Sequence, residues 1–343
     1  MTTHGEMPQV RRVCVLAWGC AAVLWELSSP GRLGPSLTTC AAFLLLAGGW
    51  TLHVRRGLLG ELRRSREIAR ATQRVLLRPP PGRIDGLAVS AAQLSASKGA
   101  AVGGDLYEAV ATAYGVRVVI GDVRGHGLPA LAAAAAVLGS FREAAYDEPS
   151  LGGVLLRMER SLRRHLRERS RAEHPATCAA EPGSPAAEEF VTVLLLEIAP
   201  DGSLLGLNCG HPWPYLLGPG PAPYVRPLPG GEPLPPLGVL PVPADVRPYS
   251  CGELAPGTLL VLHTDGAEDA RDRQGRFFPL PRTLAGERTR EPALTPARLV
   301  AGVHAALLRH TGGRLSDDVA LLVLRNDRAP TAGPAGLTGP DRP

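Results

Sequence analysis

The stretch VRVVIGDVRGHGLPA, residues 116–130, combines a strand, an acidic turn and the start of a helix. The apolar run Val118 to Ile120 predicts a buried strand, because strands covered on both faces are continuously apolar. Asp122 follows that run among three glycines, whose backbones can turn tightly and let a carbonyl face a ligand. The alanine-rich run 129–145 then predicts a helix.

Three further short motifs place aspartates beside glycine or next to an apolar run: Gly103-Gly104-Asp105, Thr264-Asp265-Gly266 and Ser316-Asp317-Asp318. A single Asp-Gly pair is a common turn and carries no function by itself. Together with Asp122, the four motifs supply the oxygen ligands that a hard divalent cation requires. The set therefore predicts a two-metal hydrolytic centre.

Short apolar runs predict strands at 87–92, 116–120, 191–198, 204–208, 259–263 and 319–324. Helices are predicted at 129–145, after the N-cap Ser150, and from Thr295 to Gly312. Strand runs with a helical pair in the middle and a helix near the end predict an α+β sandwich. Polar or Pro/Gly-rich composition predicts a disordered insertion at 169–189, a loop or flap at 218–236 and a disordered tail at 326–343.

Two apolar segments, Val13 to Leu27 and Leu37 to Val54, lie near the N-terminus. Spans of roughly 17–20 residues can cross a bilayer, the first of these only barely. Arginine pairs at 11–12 and 55–56 flank them, so the positive-inside rule predicts a transmembrane helical hairpin over 1–56 with both ends in the cytoplasm. Two alternatives are a cleaved signal peptide, disfavoured by the second apolar span, and a single span beside an interfacial segment.

Residues 57–82 predict a linker helix that ends at Pro79-Pro80-Pro81-Gly82, where the domain 83–325 begins. A weak heptad of Leu62, Ala69 and Leu76 fits a signalling or dimerising stalk, and hence a homodimer. It fits an arginine-rich helix at the membrane surface equally well.

The net charge of +5 is concentrated in this linker, away from the acidic motifs. This distribution disfavours a nuclease, because the groove of a nuclease needs basic residues near the metals. No nucleic-acid partner is expected. The six cysteines show no zinc-binding spacing and are interpreted as reduced structural residues.

A family resemblance rests on six motifs in order: GGDLYEAV, VVIGDVRGHGLPA, FVTVLLLEI, LNCGHPWPYLL, VLHTDGAEDARD and SDDVALLVLR. Over about 76–325 the chain resembles the bacterial metal-dependent (PPM-type) serine/threonine protein phosphatases of the sporulation stage II protein E type. The resemblance implies a four-layer α/β/β/α sandwich with two Mn²⁺ or Mg²⁺ ions at one end of two sheets. It also implies hydrolysis of phosphoserine or phosphothreonine by a water activated between the two ions. The implied substrate is a phosphorylated anti-anti-sigma-type regulator, that is, an anti-sigma factor antagonist. With the predicted hairpin, the enzyme would be a multi-pass protein of the cell membrane with a cytoplasmic catalytic domain.

The resemblance also implies the roles of the acidic residues. Asp122 would bridge the two metals, while Asp105 and the Val123 carbonyl would bind one of them. Asp265 and Asp317 would hold the other, with Asp318 as the alternative to Asp317. The catalytic residues are then Asp105, Asp122, Asp265 and Asp317. His126 and His211 are interpreted as structural residues, since the carboxylates already supply the hard ligands.

This chain departs from the family pattern at three positions. Glu108 and Ala320 stand where relatives often have aspartate and threonine, and neither position is a metal ligand in the family. Arg124, where a small residue is common, is expected to alter substrate access beside the metals. The helix after Gly127 is expected to act as a switch element that positions Asp122 and Val123. The rival hypothesis is a catalytically weak phosphatase fold kept as a regulatory binding module, which metal affinity and turnover would distinguish.

Overall fold

The computed structural model describes residues 45–46, 48–61, 73, 75–94, 103–173, 189–219 and 224–329. The chain divides into two units, Met1–Glu67 and Ile68–Pro343. In the first unit, residues 48–61 are helical and almost all exposed. Most of the predicted hairpin lies outside the described residues, as do residues 62–72 and 74 of the predicted linker and most of the predicted insertion and tail.

In the second unit, two antiparallel sheets form the centre of the domain. The six-stranded sheet has the order β1-β2-β11-β10-β7-β8 and the five-stranded sheet the order β3-β4-β5-β6-β9. The strands of the first sheet are β1 Arg83–Ile84, β2 Leu87–Leu94, β7 Tyr215–Leu217, β8 Val225–Pro227, β10 Leu259–His263 and β11 Val319–Asn326. Those of the second are β3 Leu106–Thr112, β4 Gly115–Val123, β5 Val191–Ile198, β6 Ser203–Cys209 and β9 Tyr249–Glu253.

Helices cover both sheets. Helices α1 (Leu128–Asp147) and α2 (Leu151–Glu173) pack on the five-stranded sheet, and α4 (Leu280–Arg290) and α5 (Pro296–Thr311) pack on the six-stranded sheet. The short helix α3 (Gly266–Asp269) follows β10 directly. Alternate residues of β10 enter two different cores: Leu260 and Leu262 face the other sheet, while Leu259 and Val261 face the helices. The predicted α+β architecture is therefore confirmed.

Within the described residues, one helix has the length and hydropathy needed to cross a membrane, Leu128–Asp147. This helix is α1, and half of its most apolar window is buried inside the domain. Its buried side chains, such as Val137 and Phe141, belong to the main hydrophobic core.

The predicted helix ends are confirmed by their caps. The Ser150 hydroxyl accepts a hydrogen bond from the Gly153 N–H (3.1 Å), and the Thr295 hydroxyl accepts one from the Arg298 N–H (3.3 Å). At the other end of α5, Gly312 adopts a left-handed conformation with φ of 63°. These local contacts satisfy helix groups that would otherwise lack partners.

The structure also differs from several predictions. Strand β4 continues to Val123, so Asp122 lies inside the strand, opposite Thr192 of β5, and does not follow it. Helix α2 continues to Glu173 within the predicted insertion, and β8 lies in the predicted flap. Strand β11 includes Asn326, whose amide donates to the Leu254 carbonyl (2.7 Å), so the start of the predicted tail is part of the fold. The sequence prediction also missed β1, β3, β7, β9, α3 and α4. Of these, β3, β9 and α4 are not continuously apolar, and β1, β7 and α3 have only two to four residues each.

Candidate metal centre

Two of the acidic motifs meet at one end of the β3–β4 hairpin. Asp105 immediately precedes β3, and Asp122 is the next-to-last residue of β4. Since Leu106 pairs with Gly121, the two aspartates lie side by side at the same end of the five-stranded sheet. The Gly104 carbonyl accepts a hydrogen bond from the Val123 N–H (3.3 Å), which continues the pairing beyond the strand.

The other two motifs meet at the corresponding end of the six-stranded sheet. Asp265 follows β10, and Asp317 and Asp318 precede β11. The two strands are neighbours, and the Thr264 N–H donates to the Ala320 carbonyl (3.1 Å). Gly266 is required for this approach, because a Cβ on it would lie 2.0 Å from the Asp318 carbonyl oxygen.

Thr264 joins the two ends. Its hydroxyl lies 3.3 Å from Asp105 Oδ2 and accepts a hydrogen bond from the Ala320 N–H (2.9 Å). The Asp318 carboxylate packs against Gly103, where an added Cβ would lie 1.7 Å from Asp318 Oδ2. The structure thus brings all four acidic motifs together, although they lie more than 200 residues apart in sequence at the extremes.

The carboxylates of this cluster repel one another, so their negative charge favours a bound cation. Burial raises the pKa of Asp105 well above its usual value, and the charges of Asp122, Asp318 and Asp317 raise it further. Burial likewise raises the pKa of Asp122 to about 7, with added repulsion from Asp265, Asp317 and Asp318. The pKa of Asp265 is raised by burial and then by Asp317. Carboxylates that repel one another in a partly buried cleft are stabilised by a bound cation.

The donor set fits a pair of hard divalent cations in chemistry. All five side chains offer carboxylate oxygens, which Mg²⁺ and Mn²⁺ prefer. Gly104 lets the chain approach the Val123 carbonyl closely, since a Cβ at that position would lie 2.5 Å from the carbonyl oxygen. Among the described residues, no three His, Cys, Asp or Glu side chains converge closely enough to chelate one ion as they stand. Asp265 and Asp317 are exposed, so rotation of their side chains could close the site on an ion.

The predicted histidines lie in different environments. His126 is exposed in the turn before α1. His211 is buried, and burial lowers its pKa to about 3, so its imidazole is neutral. His211 contacts Thr192 and the His263 carbonyl.

The sequence did not predict roles for Thr192, His263 and Thr264. The features that could have indicated the two threonines are the lone threonine inside the apolar run 191–198 and the threonine directly before Asp265.

Arg124 lies on the exposed side of the centre, next to Val123. Its N–H donates to the Phe190 carbonyl (2.9 Å), and its guanidinium lies 5.3 Å from the centre of the Phe190 ring. Glu108, the other departure from the family pattern near this hairpin, forms an ion pair with Arg142 of α1 at 2.6 Å. That pair links β3 to α1, away from the acidic cluster.

A two-sheet sandwich with an acidic cluster at one end is the architecture that the family resemblance implied, and the comparisons specify the family. The family model described as stage II sporulation protein E (SpoIIE) matches residues 112–327, so the chain belongs to this family. This is the family that the sequence motifs predicted.

Two solved structures agree with this fold, and a third is similar at a lower TM-score. The RsbU and RsbW domains of Rv1364c from Mycobacterium tuberculosis are 24% identical in sequence to this chain. The match covers 74% of this chain and 62% of that chain, with a TM-score of 0.53. The chain thus spans less than two thirds of that relative. The SiaA-PP2C domain of Pseudomonas aeruginosa matches with 17% identity, 79% of this chain, 98% of that domain and a TM-score of 0.53. The catalytic domain of the phosphatase PstP, solved in complex with two manganese ions, matches with 15% identity, 70% of this chain, 98% of that chain and a TM-score of 0.45.

Proposed function

We propose that the protein removes phosphate from phosphoserine or phosphothreonine of a regulatory protein at a two-metal centre. The observation that carries this proposal is the convergence of Asp105, Asp122 and Asp265 with Asp317 and Asp318 at one end of the two sheets. Their mutual repulsion would be relieved by divalent cations. Such ions, when bound, lower the pKa of water and neutralise charge on phosphoryl oxygens.

Each residue has a distinct task in the proposed site. Asp122 would bridge two Mn²⁺ or Mg²⁺ ions, with Asp105 and the Val123 carbonyl on one side and Asp265 and Asp317 on the other. Asp105 is held in place by burial and by Thr264. The carboxylate of Asp317 accepts a hydrogen bond from the Asp318 N–H (2.8 Å), which orients it at the start of β11.

Asp318 is kept as the alternative to Asp317. It is buried against Gly103, and its charge raises the pKa of Asp105 more than that of Asp317 does. Asp317 is exposed, and its charge raises the pKa of Asp122 more than that of Asp318 does. We assign the ligand role to Asp317 because its carboxylate is exposed at the cleft, whereas that of Asp318 is buried against Gly103.

The substrate in this proposal is a phosphorylated regulator of the anti-sigma factor antagonist type. Membership of the SpoIIE family and similarity to the RsbU and RsbW domains of Rv1364c support this choice. The proposal also includes a membrane-bound enzyme with a hairpin at 1–56, a linker at 57–82 and a cytoplasmic catalytic domain from 83 onwards. The apolar segments and their flanking arginines support that location. Arg124 would contact the substrate beside the metals.

The test uses the full-length chain purified in mild detergent, with Mn²⁺ or a chelator. We would measure phosphate release from an aryl phosphate and from a phosphoserine protein for the parent, Asp122→Asn and Asp245→Asn. Asp245 is an exposed aspartate outside the cluster and serves as the matched control. We expect turnover that requires Mn²⁺, survives Asp245→Asn and is lost in Asp122→Asn. Turnover by Asp122→Asn at the parent rate would refute the site, whereas Mn²⁺ binding without turnover would favour the regulatory binding module.

A further inference from the structure

The turn after β6 presents a buried histidine that the proposed chemistry does not use. The Asn208 side chain closes this turn, because its Nδ2 donates to the His211 carbonyl (2.7 Å) and its Oδ1 accepts from the His211 N–H (2.8 Å). Gly210 has φ of 70° and packs so closely that a Cβ would lie 2.9 Å from Pro236 Cγ. The turn is therefore rigid, and it directs the imidazole of His211 into the domain, where the residue is 4% exposed.

The imidazole of His211 bridges the two sheets. Its Nδ1 lies 3.1 Å from Thr192 Oγ1 on β5, and its Nε2 lies 3.1 Å from the His263 carbonyl on β10. A carbonyl oxygen only accepts hydrogen bonds, so Nε2 carries the proton. In a neutral imidazole Nδ1 then accepts the hydroxyl proton of Thr192. The two contacts assign both the tautomer and the direction of the chain of hydrogen bonds.

This chain of hydrogen bonds ends on the main chain of Asp122. Thr192 lies opposite Asp122 in the β4–β5 ladder. Its Oγ1 is 3.3 Å from the backbone nitrogen of Asp122 and 3.4 Å from the backbone carbonyl oxygen of Asp122. Because the single hydroxyl proton is directed to His211, a lone pair of Oγ1 faces the Asp122 N–H. At the other end, His263 is two residues before Asp265. His211 therefore connects the backbone segments that carry these two aspartates, one from each sheet.

We infer that His211, acting through Thr192, is a positioning residue that sets the spacing between Asp122 and Asp265 across the two sheets. The inference rests on the proposed function, in which these aspartates hold the metals. His211 is buried and contacts no reacting atom, so it is not a catalytic residue. Groups that orient metal ligands from behind commonly change metal affinity when they are removed. A residue that only stabilised the core would lower stability and leave metal affinity unchanged.

The experiment compares Thr192→Val, which replaces the hydroxyl with a methyl of similar shape, with Thr192→Ser, which keeps the hydroxyl. In the full-length protein we expect Thr192→Val to bind Mn²⁺ roughly 10–100-fold more weakly by calorimetry, and Thr192→Ser to restore most of the affinity. His211→Ala should cause a similar loss. The double variant His211→Ala/Thr192→Val should add little to either, because both changes break the same connection.

A second readout needs no metal. Amide hydrogen exchange in the peptide containing Asp122 should be faster in metal-free Thr192→Val than in the parent, and close to the parent in Thr192→Ser. Parent-like Mn²⁺ affinity and exchange in Thr192→Val would overturn the inference while the proposed function stands. Equal impairment of the serine and valine variants would also overturn it. Failure of the parent to bind Mn²⁺ would overturn the proposed function itself, and this inference with it.

Discussion

Replacing Gly104 by alanine tests whether the Val123 carbonyl belongs to a metal site. An alanine Cβ at this position would lie 2.5 Å from the Val123 oxygen and 2.8 Å from the Val123 Cβ. These atoms are backbone or branched side chain in a buried strand end, so the strand must shift by roughly 0.5 Å or more, which is about the tolerance of a functional site. Overpacking of this kind costs about 1–3 kcal/mol. For a domain of this size that is a fall in Tm of roughly 2–12 °C.

The assay measures the Tm of the full-length protein with and without Mn²⁺, together with Mn²⁺ affinity. We expect Gly104→Ala to lower the metal-free Tm and to weaken Mn²⁺ binding about tenfold or more, because the methyl group also covers the carbonyl. Gly139→Ala is the matched control, since Gly139 lies in α1 with open space where its Cβ would be. That change should leave metal affinity intact and raise the Tm slightly, as alanine favours helix. Parent-like Tm and Mn²⁺ affinity in Gly104→Ala would refute the reasoning.

Two further predictions concern buried charge. Arg117 is fully buried, pairs with Glu197 at 2.7 Å and donates to three carbonyls at the end of α1, so Arg117→Met should lower the free energy of unfolding by about 3–5 kcal/mol in urea melts. The half-exposed Arg157 is the control, for which Arg157→Met should cost only about 0–1 kcal/mol; equal losses in both variants would contradict the argument. Because burial raises the pKa of Asp122 from 3.8 to about 7, the metal-free folded state holds protons that the unfolded chain releases, so its stability should fall as pH rises from about 4 to 7. Thermal melts in chelator should show this slope and Asp122→Asn should reduce it, whereas a slope unchanged by that substitution would count against the raised pKa.

The strands that could be predicted from sequence are those with apolar neighbours on both faces. The predicted runs 191–198 and 259–263 coincide with β5 and β10, which lie inside their sheets and are almost wholly buried. Strand β3 was missed because it is an edge strand, with Glu108 directed to Arg142 and small alanines between larger residues. Its formation depends on pairing with β4, which is information that the local sequence does not contain.

The candidate site shows the same division between local and distant information. Asp105, Asp122 and Asp265 stand out in the sequence because each is adjacent to a glycine, and Asp317 stands out because it shortly precedes an apolar run. These signals all lie in the local sequence. The support behind them is not local: Thr192 meets Asp122 only through the β4–β5 register, and His211 meets His263 only because the two sheets pack face to face. The sequence therefore identifies candidate ligands, whereas the groups that orient them follow from tertiary structure.

The register of β4 against β5 explains why the acidic turn is part of a strand. Side chains alternate between the two faces of a sheet, so a slip of one residue would turn Asp122 away from Asp105 and bury it among apolar side chains. The pairing of Arg117 with Glu197 opposes such a slip, since it places a fully buried guanidinium beside its carboxylate partner at 2.7 Å. This ion pair within the apolar run thus helps to determine where the carboxylate of Asp122 points. Substitution of Arg117 should therefore impair metal binding without touching any ligand.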